Sequence, residues 1–306
     1  MFLDIIFKDT DLNYSRPEPS RVSVIILTFN EELNIPHALR SVRGWSDDIH
    51  VVDSGSTDRT QDIARDFDIN IHYHPWKDWA DQRNWALDNC RLKYGWVLFL
   101  DADEQLTSES RMEIAEQTRT APPDCTGFYL CFDYYFLGRQ LRKEMRPHLK
   151  LAKRDRCRWY LCGARDYWAA PSNSPVIKAR LIHYDHGSLK HWFTKQAHNA
   201  ELEAMALYQK RLRSSNNIKC KNQRNNPQTA KSKLHHRLRK AIDTSCPPYI
   251  RTLLFFSHHL VFKTGIRDGW AGLVYAFLYG LCYPMMIDTK YMQLRVGGGL
   301  KRNSQK

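Results

Sequence analysis

The chain has 306 residues, 42% of them hydrophobic, 26% charged and 12% aromatic. These are ordinary globular proportions; they exclude a collagen, a disordered tail protein and a disulfide mini-scaffold. The formal charge is +13, from 46 Lys plus Arg against 33 Asp plus Glu. From Ala204 onward 19 basic residues meet three acids (Asp243, Asp268 and Asp288), which accounts for +16 and leaves −3 on the first 203 residues. A basic rear implies a polyanionic partner: nucleic acid, an anionic membrane surface or an anionic glycan.

The opening MFLDIIFKDTD lacks the basic start and longer apolar core of a signal peptide. Residues 1–20 read as a loose leader ending in Pro17 and Pro19. None of the eight cysteines forms a C-x-x-C pair, so the close thiolate pairs of zinc ribbons and fingers are missing. Reduced thiols in the cytoplasm are the expectation.

Val22–Leu27 (VSVIIL) is a β-branched run suited to a strand covered on both faces. Asn34 is placed as the N-cap of a helix with Pro36 in its first turn. Strands follow at Ile49–Asp53, Ile69–Tyr73 and Trp96–Leu100, with helices over about 58–67 and 80–90 between them. Thr107 caps a helix to Thr118. This alternation predicts an α/β fold with a mostly parallel, Rossmann-like sheet flanked by helices. Gly127–Phe136 reads as a longer strand, 137–175 as basic and aromatic loops, and His191–Arg213 as a helix. The expected domains are a catalytic unit over 21–203, a basic linker over 204–246 and an apolar helical region over 247–306. Gly272–Ile287 is 16 residues without a charge, interrupted by Pro284 and bracketed by Asp268 and Asp288. A spanning helix needs about 20 apolar residues. A helix lying in the membrane interface is preferred here over a buried core helix or a true span, because Lys210–Lys240 holds 11 basic residues and no acid.

In parallel α/β sheets ligands sit beyond the carboxyl ends of the strands, and three acidic segments fall there. LFLDADE places Asp101 and Asp103 directly after a buried strand. Two carboxylates one residue apart can approach one divalent cation, and hard oxygen ligands suit Mg²⁺ or Mn²⁺. TFNEE (Thr28–Glu32) follows the first strand and VVDSGSTD (Val51–Asp58) the second. Asp53 can accept from a base imide or a ribose hydroxyl, and Ser56 and Thr57 open a helix whose N-terminus favours anions. Each segment alone could be helix capping; three at one rim point to a site.

SVIILTFNEE, DDIHVVDSGSTDRT, WADQRNWAL and LFLDADE, in this order and spacing, resemble glycosyltransferase family 2. The likeness is strongest to the branch that includes lipopolysaccharide-core β-glucosyltransferases, and it runs from about Val22 to Arg295. The resemblance implies a GT-A fold, a UDP-sugar donor, Mg²⁺ or Mn²⁺, and inversion at the anomeric carbon. By the same resemblance Thr28, Asn30 and Glu31 line the nucleotide pocket and Asp53 contacts the base. Asp101 and Asp103 hold ribose and metal–diphosphate, and Gln82 and Arg83 lie near the donor. Where this branch carries a His-Glu pair, the chain reads Arg165-Asp166, which makes Asp166 the expected base. Asp133 and Asp155 are lesser candidates for that role. His183 and His186 could reach the diphosphate, though a structural role suits them better. Trp159, Tyr160, Tyr167 and Trp168 are either sugar-stacking or core residues.

The expected function is transfer of one sugar from a UDP-sugar to a lipid-linked glycan or lipopolysaccharide acceptor, at the inner face of the cytoplasmic membrane. Nucleic acid is not the expected partner. A nucleotidyltransferase usually carries a Gly-rich basic loop after its first strand, where this chain has TFNEE. A non-catalytic basic membrane- or nucleic-acid-binding scaffold has no use for the D-x-D.

Overall fold

The computed structural model describes residues 19–142, 147–162, 165–168, 174–213, 247–263 and 265–303, with the backbone alone for 161–162, 165–168, 210–213, 262–263 and 297–303. Val22–Thr28 (β1) is buried along nearly its whole length because helices cover both faces of the sheet. Val22, Val24 and Ile26 point to one side. There they pack with Ile35, Ala38, Leu39 and Val42 of Ile35–Val42 (α1), Ala64 of Thr60–Asp66 (α2) and Ile114 of Ser108–Thr120 (α4). Ile25 points to the other side, toward Ala86 and Leu87 of Trp79–Asn89 (α3). Period-two alternation with apolar residues at every position is what a doubly covered strand requires.

Ile49–Asp53 (β2) and Trp96–Asp101 (β4) flank β1 in parallel, and Asn70–Tyr73 (β3) extends β2. The register sets Thr28 opposite Asp53 and Leu27 opposite Asp101. The three strand tips therefore lie side by side at one rim.

Beyond β4 the sheet becomes mixed. The later strands are Glu104–Gln105 (β5), Gly127–Phe136 (β6), Arg139–Leu141 (β7), His148–Lys153 (β8), Trp159–Cys162 (β9), Arg165–Trp168 (β10) and Val176–Tyr184 (β11). The sheet order is β3-β2-β1-β4-β8-β6-β11-β5, with β7 paired to β6 and β9–β10 a separate hairpin. β8 lies antiparallel to both β4 and β6. The region expected as loops over 137–175 thus contains four short strands, β7 to β10. Their basic and aromatic residues masked the period-two pattern, and one of those basic residues serves the site.

Leu189–Arg213 (α5) runs unbroken through the boundary expected at 203/204. Its Ala200 and Ala204 form one stripe that packs on Ile287 and Tyr291 of Tyr283–Asn303 (α8), so the helix has no reason to stop there. The expected leader, residues 1–18 of it, and the linker from 214 to 246 lie outside the described residues.

Ile250–His258 (α6) and Gly269–Tyr275 (α7) precede a π-helical segment, Ala276–Cys282, that leads into α8. Ala271 and Tyr275 pack against Tyr134 and Leu141 of the main sheet. Asp288, expected as a charged bracket, is buried: it accepts from the backbone N–H of Tyr249 at 2.9 Å, from the Thr252 hydroxyl at 2.7 Å and from the Arg251 guanidinium. By length and composition Ile266–Val296 is able to cross a membrane, and 44% of its most apolar window is buried against the protein.

Candidate active site

The loops after β1 and β2 are stitched together by side chain–backbone hydrogen bonds. The Asn30 N–H donates to Ser56 Oγ at 2.8 Å, and Asn30 Oδ1 accepts from the Thr57 N–H at 2.8 Å. The Glu31 N–H donates to Thr60 Oγ1 at 2.8 Å and the Glu32 N–H to Asp58 Oδ2 at 3.1 Å. Asn30 adopts a left-handed backbone, φ 55°, a conformation asparagine tolerates better than most residues.

Asp53 is the buried centre of this pair of loops. Its carboxylate accepts from Thr28 Oγ1 (2.9 Å), Ser56 Oγ (2.5 Å), the Gly55 and Ser56 N–H groups (3.0 and 2.8 Å) and Gln61 Nε2 (2.7 Å). Burial works against the charged form, but the Ser56, Thr28 and Gly55 hydrogen bonds outweigh it and hold the carboxyl below its usual range. Asp53 and Thr28 thus shape the loop from beneath. A base imide reaches Asp53 only by displacing one of these donors.

Gln82 is fully buried, and its amide donates to the His74 and Pro75 carbonyls at 3.0 and 3.2 Å. It fixes the approach to α3 rather than facing the rim. One residue on, Arg83 reaches Asp101, with 3.6 Å between nitrogen and oxygen, and its guanidinium lies 6.0 and 5.9 Å from the Trp79 and Trp159 ring centroids.

Asp101 is held from below by Lys150 of β8, whose ammonium donates to it at 2.7 Å and to Glu104 at 2.8 Å. The antiparallel run of β8 is what brings Lys150 to the carboxyl end of β4. Burial opposes ionisation of Asp101, yet Lys150 and Arg83 keep its carboxyl well below the ordinary range.

Asp103 faces a second lysine. Lys195 of α5 lies 3.4 Å from Asp103, 3.2 Å from Glu31 and 3.9 Å from Asp185. Burial disfavours its charge, but Asp103, Glu31 and Asp185 prevail and raise its pKa. His183 is 3.8 Å from both Asp103 and Glu104 and stacks on Tyr134. Asn34 makes no helix-capping hydrogen bond. Its amide instead donates to Glu31 (2.7 Å) and Asp185 (3.0 Å) and accepts from the His186 N–H (2.7 Å). It ties the first loop to the segment before α5.

The cluster therefore holds five carboxylates (Glu31, Asp101, Asp103, Glu104, Asp185) against three fixed cations (Arg83, Lys150, Lys195). Counted with every carboxyl ionised, two negative charges remain, or one with His183 protonated; burial raises the pKa of Glu31 among them. An all-oxygen donor set with that residual charge fits a hard divalent cation such as Mg²⁺ or Mn²⁺, with Asp103 and Asp101 as its nearest ligands by chemistry.

Other expected residues fall elsewhere. Asp133 is paired with Arg180 at 2.5 Å, and Asp155 is exposed beside Arg156. Trp159 is a core residue packed on Phe99, whereas Tyr160 is 56% exposed. Asp166 sits on β10 opposite Leu161, in the hairpin packed beside α3; its side chain, with those of Tyr167 and Trp168, lies outside the described residues.

Lys150, Lys195, Glu104 and Asp185 were not singled out in the sequence. A signal existed for Lys195: it lies three residues after Trp192 and one before Gln196, both buried, so it is a charge on the inner face of a helix. Lys150 had only the alternation of HLKLAK.

His186 stacks on His37 with ring centroids 3.9 Å apart. Burial and the neighbouring His37 lower its pKa to about 4. Above pH 6.5 both folded and unfolded forms are neutral there. As pH falls below 6.5 the unfolded chain takes up the proton first, so stability is lost toward pH 4, by of order 2–3 kcal/mol from this residue. Melting His186→Asn beside the unmodified protein at pH 7.5 and 4.5 is expected to show the smaller acid loss in the variant.

This rim of acids lies beyond the carboxyl ends of β1, β2 and β4. The chain belongs to glycosyl transferase family 2, which it matches over residues 23–179. An uncharacterized glycosyltransferase of Rickettsia bellii is 38% identical over 94 residues, 31% of this chain and 31% of that protein. The lipopolysaccharide core biosynthesis glycosyltransferase LpsC of Rhizobium meliloti is 29% identical over 148 residues, 46% of this chain and 53% of LpsC. The chain thus spans from a third to a half of the length of these curated relatives. Among solved structures, Staphylococcus aureus TarS 1–349 in complex with UDP-GlcNAc has 15% identity and a TM-score of 0.40, covering 90% of this chain and 92% of that one. Glucosyl-3-phosphoglycerate synthase of Mycobacterium tuberculosis with Mn²⁺ and UDP has 15% identity and a TM-score of 0.38, covering 61% and 79%.

Proposed function

We propose that this glycosyltransferase is inverting and metal-dependent, and moves one sugar from a UDP-sugar to a lipid-linked glycan or lipopolysaccharide acceptor. The observation that carries the reading is the carboxylate cluster at the sheet rim with its unbalanced negative charge. A bound Mg²⁺ or Mn²⁺ supplies Lewis-acid neutralisation of the departing diphosphate. Asp101 and Asp103 hold it, Lys150 and Arg83 fix Asp101, and Lys195 gathers Glu31, Asp103 and Asp185. Asp166 takes the proton of the acceptor hydroxyl as its oxygen bonds to the anomeric carbon. The bond from that carbon to the UDP oxygen breaks, and UDP leaves with the electron pair. The similarity to LpsC over 148 residues supports the acceptor class.

A thermal-shift screen of UDP-, GDP- and dTDP-sugars with and without Mn²⁺ tests this. A UDP-sugar at about 100 times its Kd adds roughly 2.7 kcal/mol, a Tm rise of order 5 °C, and the rise requires the metal. Salt-sensitive RNA binding with no nucleotide-sugar shift would favour the scaffold reading instead.

The C-terminal helices support peripheral attachment to an anionic membrane. Ile266, Trp270, Leu273 and Phe277, spaced four, three and four, are all exposed, Trp270 by 73%. Leu253, Leu254 and Val261 are exposed on the neighbouring helical stretch. Large apolar side chains in a row, with basic flanks, suit the headgroup boundary. Replacing Trp270 and Phe277 together by glutamate is expected to weaken cosedimentation with phosphatidylglycerol vesicles by about 10- to 100-fold. Binding of UDP-sugar stays unchanged.

A further inference from the structure

A second cluster lies toward the opposite end of the sheet from the donor rim. His50 near the start of β2, His72 on β3 and Cys90 at the end of α3 each offer a ligand atom, and these atoms lie within 4.8 Å of one another. His50 Nδ1 is 3.0 Å from His72 Nε2, and His50 Nε2 is 2.9 Å from Asp48 Oδ1. Asp48 also accepts from the Ser23 hydroxyl and from the Lys93 N–H at 2.8 Å. Asp48, His50 and Cys90 are all buried, and Cys90 packs among Ile25, Val52, Ala86 and Leu87. Among the described residues no lysine or arginine side chain pairs with Asp48. Asp48 is thus a buried carboxylate held by hydrogen bonds alone, beside two imidazoles and a thiol.

We propose that His50, His72 and Cys90 bind a zinc ion, with Asp48 orienting the His50 ring. Zn²⁺ with one thiolate and the Asp48 carboxylate sums to zero charge. Tetrahedral zinc at bond lengths of about 2.0 Å to nitrogen and 2.3 Å to sulfur places its nitrogens roughly 3.3 Å apart and nitrogen and sulfur roughly 3.6 Å apart. The nitrogen spacing of 3.0 Å meets this with a shift of a few tenths of an ångström, and the sulfur, within 4.8 Å of both nitrogens, has to close in on them. A carboxylate on the far nitrogen of a ligating histidine is the usual way such a ring is held. His50 donates its Nε2–H to Asp48, which leaves Nδ1 free to ligate.

On binding, Cys90 releases its thiol proton to solvent, His50 keeps its proton on Nε2, hydrogen-bonded to Asp48, and the His72 proton moves from Nε2 to Nδ1. Burial, and then Asp48, push the Cys90 thiol up to about 12 in the metal-free protein, and the cation offsets that cost. Thiolate and imidazole select zinc, whereas the acidic rim selects Mg²⁺ or Mn²⁺, so the two sites do not compete. Ligands drawn from three separate elements leave no C-x-x-C trace in the sequence. The ion ties β2 and β3 to the end of α3, the helix that carries Arg83.

The test uses the full chain, stripped with chelator and titrated with Zn²⁺, then separately with Co²⁺. About one equivalent of tight zinc is expected, and it persists when Asp101 and Asp103 are both alanine. The Co²⁺ form shows thiolate-to-metal charge-transfer absorption, which Cys90→Ser abolishes. Cys90→Ser and His72→Gln each weaken zinc binding by at least ~100-fold, and Asp48→Asn by about 10- to 100-fold. His72 is half-buried, so His72→Gln serves if a variant at Cys90 fails to fold. Absence of the charge-transfer band in the unmodified protein, or zinc affinity unchanged in His72→Gln, overturns the proposal.

Discussion

Replacing Asp101 and Asp103 together by alanine is expected to lower UDP-sugar turnover by at least ~10³-fold, about 4 kcal/mol of transition-state stabilisation. In the proposed reading these two carboxylates hold the divalent cation against the diphosphate; Asp101 is more open to solvent than Glu104, 39% against 2% at the side chain. Glu104 is committed to Lys150, and Glu31 and Asp185 to Lys195. The loss is separable from misfolding. Lys150 keeps Glu104 as its partner at 2.8 Å after Asp101 is removed, so the variant remains folded by circular dichroism. Asp133→Ala and Asp155→Ala, which remove acids paired elsewhere, leave turnover within a few-fold. Turnover that persists in the double variant sinks the metal-site reading.

Asp288→Ala is expected to have the largest effect on stability, about 3–5 kcal/mol, because it takes the carboxylate from a buried arginine. Asp288 and Arg251 are 1% and 8% exposed at their side chains. The same change strips acceptors from the Thr252 hydroxyl and the Tyr249 N–H. These bonds hold the start of α6 onto α8, so the loss falls on the C-terminal helices. Hydrogen exchange and limited proteolysis are expected to show α6 opening first while the main sheet stays protected. Asp288→Asn keeps two of the acceptor contacts and costs less. An unchanged Tm in Asp288→Ala would show that the buried pair contributes nothing net.

The two experiments divide the protein as its structure does, the first reading the rim of the sheet and the second the helical appendage. The outcome at Asp288 also bears on membrane docking, since the exposed stripe from Ile266 to Phe277 belongs to the same helical assembly.

The first half of the fold and the position of the acidic rim were legible in the residues alone. Apolar β-branched runs alternating with helices specify parallel strands, and the residues that end those strands must share one edge; hence Thr28, Asp53 and Asp101 were legible as neighbours. Which partners each side chain takes came only with the folded arrangement. Asp53, Thr28 and Gln82 turn inward to satisfy buried donors and carbonyls, and Lys150 and Lys195 arrive from a short antiparallel strand and from a helix more than ninety residues beyond the D-x-D. Hydrogen-bond satisfaction and charge pairing between distant segments leave no local period, so a one-dimensional pattern carries no record of them. The same holds for His50, His72 and Cys90, which strand pairing and helix packing bring together from three elements.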